Sequence, residues 1–178
     1  MIEFQDISFS YPEGTEGGLK NINLTIPDGQ CVLFCGQSGC GKTTLTRLVN
    51  GLIPQFFDGE LTGKVLFNGE NLFNVPMYQI AEKVGSVFQN PRTQFFNVDT
   101  DSEIVFGLEN EAVTQEELKY RVIETAKSLH IESLLGRNIF ALSGGEKQKI
   151  AFASVYAMNP EVYLLDEPSS NLDLATIK

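Results

Sequence analysis

An eight-residue motif near the N-terminus constrains this chain more than any other part of its 178 residues. The motif matches the pattern G-x-x-x-x-G-K-[ST], and its residues are Gly36, Gln37, Ser38, Gly39, Cys40, Gly41, Lys42 and Thr43. An apolar run at residues 31–35 precedes it, and residues 44–50 have helical character. We therefore expect a strand, a phosphate-binding P-loop and a helix in that order.

The chemistry of this loop follows from its residue types. Glycines let the backbone curl so that successive N–H groups point inward and, with the N-terminus of the next helix, form an anion site. Lys42 would place an ammonium group against the β- and γ-phosphates, and the Thr43 hydroxyl would ligate Mg²⁺. The alternative, a glycine-rich turn before a helix, gives no reason for Lys42 and Thr43. The motif predicts binding of a nucleoside triphosphate.

The composition of the chain limits the binding partners and the cellular location that we expect for it. Its formal net charge of −10 disfavours broad binding of nucleic acid or of anionic lipid. No apolar run approaches the roughly 20 residues needed to span a bilayer, and the acidic residues 1–6 lack the apolar segment of a signal peptide. We expect a cytoplasmic protein that associates with a membrane only through a protein partner.

The three cysteines do not indicate a metal site. Cys31 and Cys35 would share one face of the expected strand, and Cys40 lies inside the P-loop. The single histidine, His130, is distant in sequence, and no C-x-x-C spacing occurs. We expect buried, reduced thiols. For His130 we expect a solvated or capping role at a helix C-terminus.

Periodicity predicts an α/β order of elements. Strands are expected at residues 2–9, 22–26, 65–67, 84–88 and 162–165, the last a buried parallel strand. The Asn68-Gly69 pair predicts a tight turn, and Pro76 is expected to open a short helix ending near Lys83. Residues 100–158 are expected to be helical, with caps at Thr114 and Ser143.

Two adjacent carboxylates, Asp166 and Glu167, follow the last apolar run. An aspartate in this position can hold Mg²⁺, and the next glutamate can orient and polarise an attacking water. The alternative is a solvated acidic strand end. Their place downstream of a P-loop favours the catalytic interpretation.

A third motif runs from Leu142 to Gln148. Ser143 and Glu146 form a capping-box pattern, which by itself requires only a helix start. Gly144 and Gly145 weaken that explanation, because glycine in the first turn destabilises a helix. Glycines here make sense if a ligand approaches the backbone, and a helix N-terminus suits a phosphate.

The segment Leu142-Ser143-Gly144-Gly145-Glu146 resembles the signature motif of ATP-binding-cassette (ABC) ATPases. Tyr11 matches the family's adenine-stacking aromatic residue, and Gln89 matches the Q-loop glutamine. Residues 170–173, Ser-Asn-Leu-Asp, resemble the D-loop. The resemblance covers essentially the whole chain.

The resemblance implies a fold and a division of the chain. It implies an α/β P-loop NTPase with a RecA-like core, an N-terminal antiparallel β part and an inserted helical subdomain. A single domain, residues 1–178, would comprise the β subdomain and P-loop core (1–89), the helical subdomain with the signature (90–158), and the returning strand with the D-loop (159–178).

The resemblance also implies a mechanism in which two cassettes pair head to tail around ATP and Mg²⁺. Glu167 would be the general base, assisted by Lys42 and Gln89, and the metal would be held by Thr43, Gln89 and Asp166. The nucleotide would contact Tyr11, the P-loop, Thr44 and the partner's copies of Ser143, Gly144 and Gly145. One cassette alone is then expected to be a poor ATPase.

Residues 88–96 and 105–110 resemble the corresponding segments of energy-coupling-factor (ECF) and cobalt-type importer ATPases. Those systems take up vitamins or transition-metal ions through integral membrane subunits, at the cytoplasmic face of the membrane. Phe95 and Phe96 are candidate contacts to such a subunit. The alternative is that Phe95, Phe96 and Phe106 only pack the helical subdomain.

One departure from the family concerns the switch histidine, which follows the carboxylate pair in ABC ATPases. No histidine follows Glu167 here, so we expect a C-terminally truncated chain whose own hydrolysis is an open question. Two other functions stay open. One is a soluble ABC ATPase of DNA repair or translation, disfavoured by the absence of sustained heptads and of a basic linker. The other is a nucleotide-binding module without turnover.

Overall fold

The computed structural model describes residues 1–12, 18–109 and 113–168. The chain divides into two compact units, Met1–Val84 and Gly85–Lys178. The three-part division expected from the sequence stays a prediction.

The first unit is built on an antiparallel sheet with the strand order β2-β1-β3-β4. Its strands are β1 (Ile2–Ser10), β2 (Leu19–Ile26), β3 (Glu60–Phe67) and β4 (Glu70–Asn71). Ile2 lies opposite Ile26 on one side and Phe67 on the other, so β1 is the paired centre of the sheet. The predicted strands at residues 2–9, 22–26 and 65–67 are thereby confirmed.

Burial along β1 alternates with one change of phase at Asp6. Ile2 and Phe4 are buried before it, and Ile7 and Phe9 are buried after it. Asp6 has a positive φ of 52°, and the register with both neighbouring strands shifts there. A bulge of this kind adds one residue to a strand, which returns the apolar side chains to the same face.

The turn between β3 and β4 matches the prediction for Asn68-Gly69. Both residues have positive φ angles, 50° and 86°. A two-residue hairpin turn of this kind matches the twist of the flanking strands, and asparagine followed by glycine is the pair that adopts it most readily.

The described residues of the first unit form the helices α1 (Lys42–Val49), α2 (Leu52–Gln55) and α3 (Met77–Lys83). Gly51, in the left-handed region with a φ of 79°, separates α1 from α2. Pro76 caps α3 at its N-terminus, as expected. A 3₁₀ turn at Leu72–Asn74 joins β4 to α3.

The strand expected before the P-loop was a wrong prediction. Residues 31–35 form no strand, and neither of the two described sheets includes them. An extended segment without a neighbouring strand has no ladder hydrogen bonds and no covered face, so Leu33 is 83% exposed. The thiols of Cys31, Cys35 and Cys40 are free as expected, but exposed rather than buried.

Within residues 85–109 and 113–168, the described part of the second unit, a two-stranded sheet is combined with three helices. Strands β5 (Val84–Val87), which begins at the unit boundary, and β6 (Val162–Leu165) pair with each other. The helices are α4 (Thr100–Glu109), α5 (Gln115–Leu129) and α6 (Gly144–Ala157). Short 3₁₀ turns lie at Pro91–Thr93, Glu132–Leu134 and Ile139–Ala141. The strands expected at residues 84–88 and 162–165 are thus present.

The three helices of this unit enclose an apolar core. Ile104, Ala126, Ile150 and Ala153 are fully buried in it. A smaller cluster joins Val87 of β5 to Ala151 and Val155 of α6. Of the range 100–158 expected to be helical, α4, α5 and α6 are confirmed, whereas residues 130–143 form turns and short 3₁₀ segments.

Both predicted helix caps of this unit are present. The Thr114 side chain accepts a hydrogen bond from the N–H of Glu117 and starts α5. His130 ends that helix in the left-handed conformation with an exposed side chain, as the sequence indicated. Ser143 starts α6 with a complete capping box.

The burial expected for β6 was a wrong prediction. Tyr163 is 38% exposed and Leu165 is 44% exposed. Full burial of a strand requires neighbours on both edges and cover on both faces, and in the described ranges β6 pairs only with β5. None of the helices within residues 1–12, 18–109 and 113–168 is long and apolar enough to cross a membrane.

Candidate nucleotide site

The P-loop has the backbone conformation that its glycines permit. Gly39 and Gly41 lie in the left-handed region, with φ angles of 80° and 97°. The N–H of Cys40 donates to the carbonyl of Gln37 at 3.3 Å and closes a turn. A Cβ atom on Gly41 would lie 2.7 Å from Leu19 Cδ2, so a larger residue would be both strained and crowded.

The Lys42 side chain is hydrogen-bonded to the backbone of this loop. Its Nζ donates to the carbonyl oxygens of Gly36 at 3.1 Å and Gln37 at 3.0 Å. The same atom lies 3.9 Å from Cys40 Sγ. The loop therefore contains a held ammonium group beside its own backbone N–H groups, which is the combination that attracts phosphate oxygens.

Helix α1 begins at Lys42, directly after Gly41. The first turn of a helix carries N–H groups without partners inside the helix and the positive end of the dipole. Thr43 and Thr44 lie in that turn, and Ser38 is exposed at the start of the loop. These residues are thus placed together by one continuous loop and helix, as the sequence predicted.

Tyr11 lies against the same helix. Its hydroxyl accepts a hydrogen bond from Arg47 Nη1 at 2.8 Å and lies 3.4 Å from Thr44 Oγ1. Its ring meets the rings of Phe9 and Phe57 at steep angles, with centroid separations of 4.7 and 6.4 Å. The structure therefore brings Tyr11 to the first turn that follows the P-loop.

The carboxylate pair lies at the end of β6. The N–H of Asp166 donates to the carbonyl of Val87 at 3.0 Å, which extends the contact between β6 and β5 by one residue. Gln89 Nε2 donates to Glu167 Oε2 at 2.7 Å. This hydrogen bond joins two predicted catalytic residues that are 78 positions apart in the chain.

The signature residues lie at the N-terminus of the 14-residue helix α6. The N–H of Ser143 donates to Glu146 Oε2 at 2.8 Å, and the N–H of Glu146 donates to Ser143 Oγ at 3.3 Å. Gly144 and Gly145 are the first two residues of the helix, and Gly144 is exposed. This helix end is accessible, with backbone in place of side chains.

The hydrogen bond from the Ser143 backbone lowers the pKa of Glu146 below the usual value of a glutamate, and Arg137 adds to this effect. Arg137 Nη1 lies 3.1 Å from Glu146 Oε1. The capping carboxylate therefore stays ionised at neutral pH and maintains the capping box at the start of α6.

Two supports of the signature were missed by sequence reasoning. Arg137 is one, and Lys147 is the other: its side chain is buried, and Nζ donates to the carbonyls of Leu142 at 2.8 Å and Phe140 at 3.4 Å. A buried lysine one turn into a helix has no distinctive pattern in the sequence. Arg47 was missed in the same way.

The residues expected to hold Mg²⁺ offer a hydroxyl from Thr43, an amide oxygen from Gln89 and a carboxylate from Asp166. Oxygen donors of these kinds fit a hard divalent cation. The expected D-loop at residues 170–173 lies outside the described residues. The P-loop belongs to the first unit, and the carboxylates and signature belong to the second.

A comparison with protein families identifies the chain. The family described as ABC transporter matches residues 19–170. The chain belongs to the ABC transporter family. The matched range includes the P-loop, the Q-loop glutamine, the signature and the carboxylate pair.

Curated relatives of this ABC domain carry the same description. A putative ABC transporter ATP-binding protein of Treponema denticola is 60% identical over all 178 residues, which cover 36% of that protein. One from Methanosarcina mazei is 41% identical over 173 residues, covering 97% of this chain and 29% of the relative. The ABC domain thus spans about a third of the length of the curated relatives it matches.

Two solved structures share its fold. The structure of cbiO1 from Clostridium perfringens, described as part of the ABC transporter complex cbiONQ, has a TM-score of 0.85 at 30% identity; the match covers 99% of this chain and 68% of that one. A dimeric ATP-binding cassette in a post-hydrolysis state, bound to ADP and phosphate, has a TM-score of 0.80 at 28% identity, with coverage of 99% and 78%. The fold is therefore the ABC-type P-loop NTPase expected from the sequence.

Proposed function

We propose that this chain is the ATP-binding and ATP-hydrolysing part of a membrane importer, of the ECF type that takes up a vitamin or a transition-metal ion. The observation that carries the proposal of hydrolysis is the 2.7 Å hydrogen bond between Gln89 and Glu167. A carboxylate at the end of a strand, oriented by an amide, is suited to accept a proton from a water that attacks phosphorus.

In this proposal Glu167 is the general base, and Gln89 orients its carboxylate. Lys42 neutralises charge on the phosphates, whose other oxygens accept hydrogen bonds from the P-loop and the first turn of α1. Tyr11 stacks on the adenine. Thr43, Gln89 and Asp166 hold Mg²⁺, which supplies neutralisation of the phosphate charge when bound.

The proposed partner in catalysis is a second cassette, identical or related, placed head to tail. Ser143, Gly144 and Gly145 would contact the nucleotide on that partner. The accessible glycine backbone at the start of α6 supports this role, since it offers N–H groups to an anion. The solved dimer bound to ADP and phosphate is a precedent among similar proteins.

The importer part of the proposal is supported by Phe96, which is 75% exposed. Its ring stacks on Phe106 with a centroid distance of 4.7 Å and an interplanar angle of 14°. Glu103, a buried residue, accepts hydrogen bonds from the N–H groups of Phe96 and Asn97 at 3.1 and 2.8 Å. An exposed aromatic ring held in place by two contacts is suited to bind an apolar partner surface.

Phe95, by contrast, packs partly buried against the helical core, so the packing interpretation holds for that residue. We propose Phe96 as a contact to an integral membrane subunit at the cytoplasmic face of the membrane. The similarity to cbiO1, described as part of a transporter complex, supports this choice over a soluble ABC ATPase of DNA repair or translation.

Two variants test the ATPase directly. Lys42→Ala is expected to abolish tight ATP binding, because the phosphates lose their fixed cation. Glu167→Gln is expected to keep ATP binding and stop phosphate release. Binding is measured by calorimetry and turnover by phosphate release, with Lys119→Ala and Glu161→Gln, both at exposed positions, as matched controls. Unchanged affinity in Lys42→Ala would remove the P-loop assignment, and continued hydrolysis in Glu167→Gln would remove Glu167 as the base.

The importer is tested by purifying the full-length protein from native membranes in mild detergent and identifying what accompanies it. Multi-span membrane proteins are expected, and Phe96→Ala is expected to reduce their recovery while Phe140→Ala, at another exposed phenylalanine, does not. Recovery only with ribosomal or DNA-repair proteins would leave the ATPase and overturn the importer. ATP binding without phosphate release in the full-length protein would indicate a module without turnover.

A further inference from the structure

We infer that Arg47 is a positioning residue for Tyr11, and that recognition of the adenine base depends on this arginine although no nucleotide-binding motif includes it. The inference rests on the proposed ATP site, in which Tyr11 stacks on the base. It concerns the base-binding end of the site, separately from the phosphate-binding end.

The guanidinium group of Arg47 is held by two different contacts. Its Nη1 donates to the Tyr11 hydroxyl at 2.8 Å, and its Cζ lies 4.2 Å from the centre of the Phe57 ring. A planar guanidinium can donate hydrogen bonds along its edge while its face rests on an aromatic ring. Arg47 thus links Tyr11 to Phe57, two residues that are distant in sequence.

Arg47 makes the shorter of the two polar contacts to Tyr11. The 2.8 Å distance from its nitrogen is a normal hydrogen bond, whereas the 3.4 Å between Tyr11 and Thr44 exceeds the usual range for two hydroxyl oxygens. Bonds from a charged donor are also stronger than those between neutral groups. Loss of the guanidinium would therefore leave the Tyr11 hydroxyl with only a weak tie to α1.

The aromatic neighbours restrict Tyr11 in position but do not replace a stacked base. Phe9 meets the Tyr11 ring at an interplanar angle of 84° and Phe57 meets it at 90°. Neither ring is stacked face to face on Tyr11, so the proposed stacking partner of this tyrosine is the adenine base. The Arg47 bond fixes where the hydroxyl end of Tyr11 lies against α1, while the neighbouring rings restrict the plane of its ring.

Arg47 touches none of the P-loop groups through these contacts. Removing it should therefore weaken binding of ligands that contain a base and spare ligands that consist of phosphates alone. This difference separates a positioning role from a general structural role, which would affect both ligands.

The experiment measures affinities of the full chain for ATP and for inorganic triphosphate, in Arg47→Gln, Arg47→Lys, Tyr11→Phe and the double variant Tyr11→Phe/Arg47→Gln. We expect Arg47→Gln to lower the affinity for ATP about tenfold, equivalent to about 1.4 kcal/mol. The affinity for triphosphate should change by no more than about twofold. Arg47→Lys should recover part of the loss, since it keeps a cation at the Phe57 ring. The double variant should be no worse than the single ones, because both remove the same bond.

Arg121→Gln, which removes an arginine from the surface of α5, is the matched control. The role of Arg47 would be overturned if Arg47→Gln lowered the affinities for ATP and triphosphate equally, or if it left the ATP affinity unchanged. It would also be overturned if the losses of ATP affinity were additive in the double variant. If Arg47→Gln does not fold, Tyr11→Phe breaks the same bond with the ring retained and decides the matter. If the proposed ATP site itself is wrong, the result is different. The affinities for ATP and for triphosphate would then be unchanged by Lys42→Ala.

Discussion

At the scale of single residues, polar side chains to which the motifs assign no role support the signature. Arg137 holds the capping carboxylate of Glu146, and Lys147 holds the carbonyls that precede Ser143. Arg137 places a positive charge beside the Glu146 carboxylate, and Lys147 donates hydrogen bonds to two backbone carbonyls. The carboxylate of Glu146 caps the signature helix in its ionised form, which makes the stability of this helix start dependent on pH.

The lowered pKa of Glu146 predicts this dependence and its sign. The folded state favours the ionised carboxylate, so its contribution to the free energy of unfolding is complete above the ordinary glutamate pKa of about 4.3 and is lost as the pH falls through the lowered folded-state pKa. Glu146→Gln keeps the capping-box hydrogen bond in principle but removes the charge. We expect it to lower stability at neutral pH and to reduce the loss of stability on acidification.

Urea unfolding at pH 7 and at acidic pH checks this prediction. The quantity compared is the difference in the free energy of unfolding between Glu146→Gln and the parent. Glu161→Gln, at an exposed position before β6, controls for the loss of one negative charge. A constant difference between Glu146→Gln and the parent at both pH values would contradict the linkage to Glu146.

At the scale of elements, two glycines reveal how closely the elements of the second unit pack. A Cβ on Gly85 of β5 would overlap the Val155 side chain and lie 2.8 Å from Cγ of Pro160. A Cβ on Gly107 of α4 would overlap the end of Met158 and lie 2.8 Å from its Cγ. The obstacle is rigid in the first case and flexible in the second, because methionine has three rotatable bonds and adapts to its surroundings.

Alanine at these two positions should therefore have different effects. Gly85→Ala is expected to lower the free energy of unfolding by about 1–3 kcal/mol, the usual range for overpacking. Gly107→Ala should be near neutral or stabilising, because alanine is favoured over glycine in a helix by up to about 1 kcal/mol and Met158 can move aside. Equilibrium urea unfolding measures both, and each variant serves as the control for the other. Equal destabilisation would show that the α4–α6 contact is as rigid as the packing around β5.

At the scale of the whole molecule, the proposal requires two chains for one reaction. The residues proposed to contact the phosphates of one nucleotide come from the P-loop of one cassette and the signature of another. ATP would then hold two chains together, and its hydrolysis would release them. The strength of their association is expected to depend on the nucleotide rather than on a permanent apolar interface.

This predicts that Glu167→Gln dimerises in the presence of ATP and Mg²⁺ but not with ADP, because the γ-phosphate that bridges the chains is retained. Sedimentation velocity of the full chain measures the change in mass. Glu161→Gln, which keeps the proposed base, should dimerise only transiently. A monomer at saturating ATP, as judged by calorimetry, would refute the head-to-tail pairing while leaving ATP binding intact.

Local features of this chain could be predicted from the sequence because their causes lie within a few residues. The Asn68-Gly69 turn, the caps at Thr114 and Ser143 and the helix after the P-loop each depend on side chains and backbone groups of one short segment. The family resemblance and the candidate residues of the site were likewise visible in four short motifs. Periodicity, turn residues and caps predicted most strands and helices in their observed order, with the strand at residues 31–35 as an exception.

Only the tertiary structure decided which of these residues meet and which side chains are buried. Gln89 and Glu167 are 78 positions apart, and Tyr11 and Arg47 are 36 apart, so no local pattern could reveal either hydrogen bond. Residues 31–35 and β6 have the composition of buried strands, yet their side chains are largely exposed where a strand partner or a covering layer is missing among the described residues. The composition of a segment sets how much free energy it would gain if its side chains were buried. Whether they are buried depends on the strands and side chains that other parts of the chain place against it.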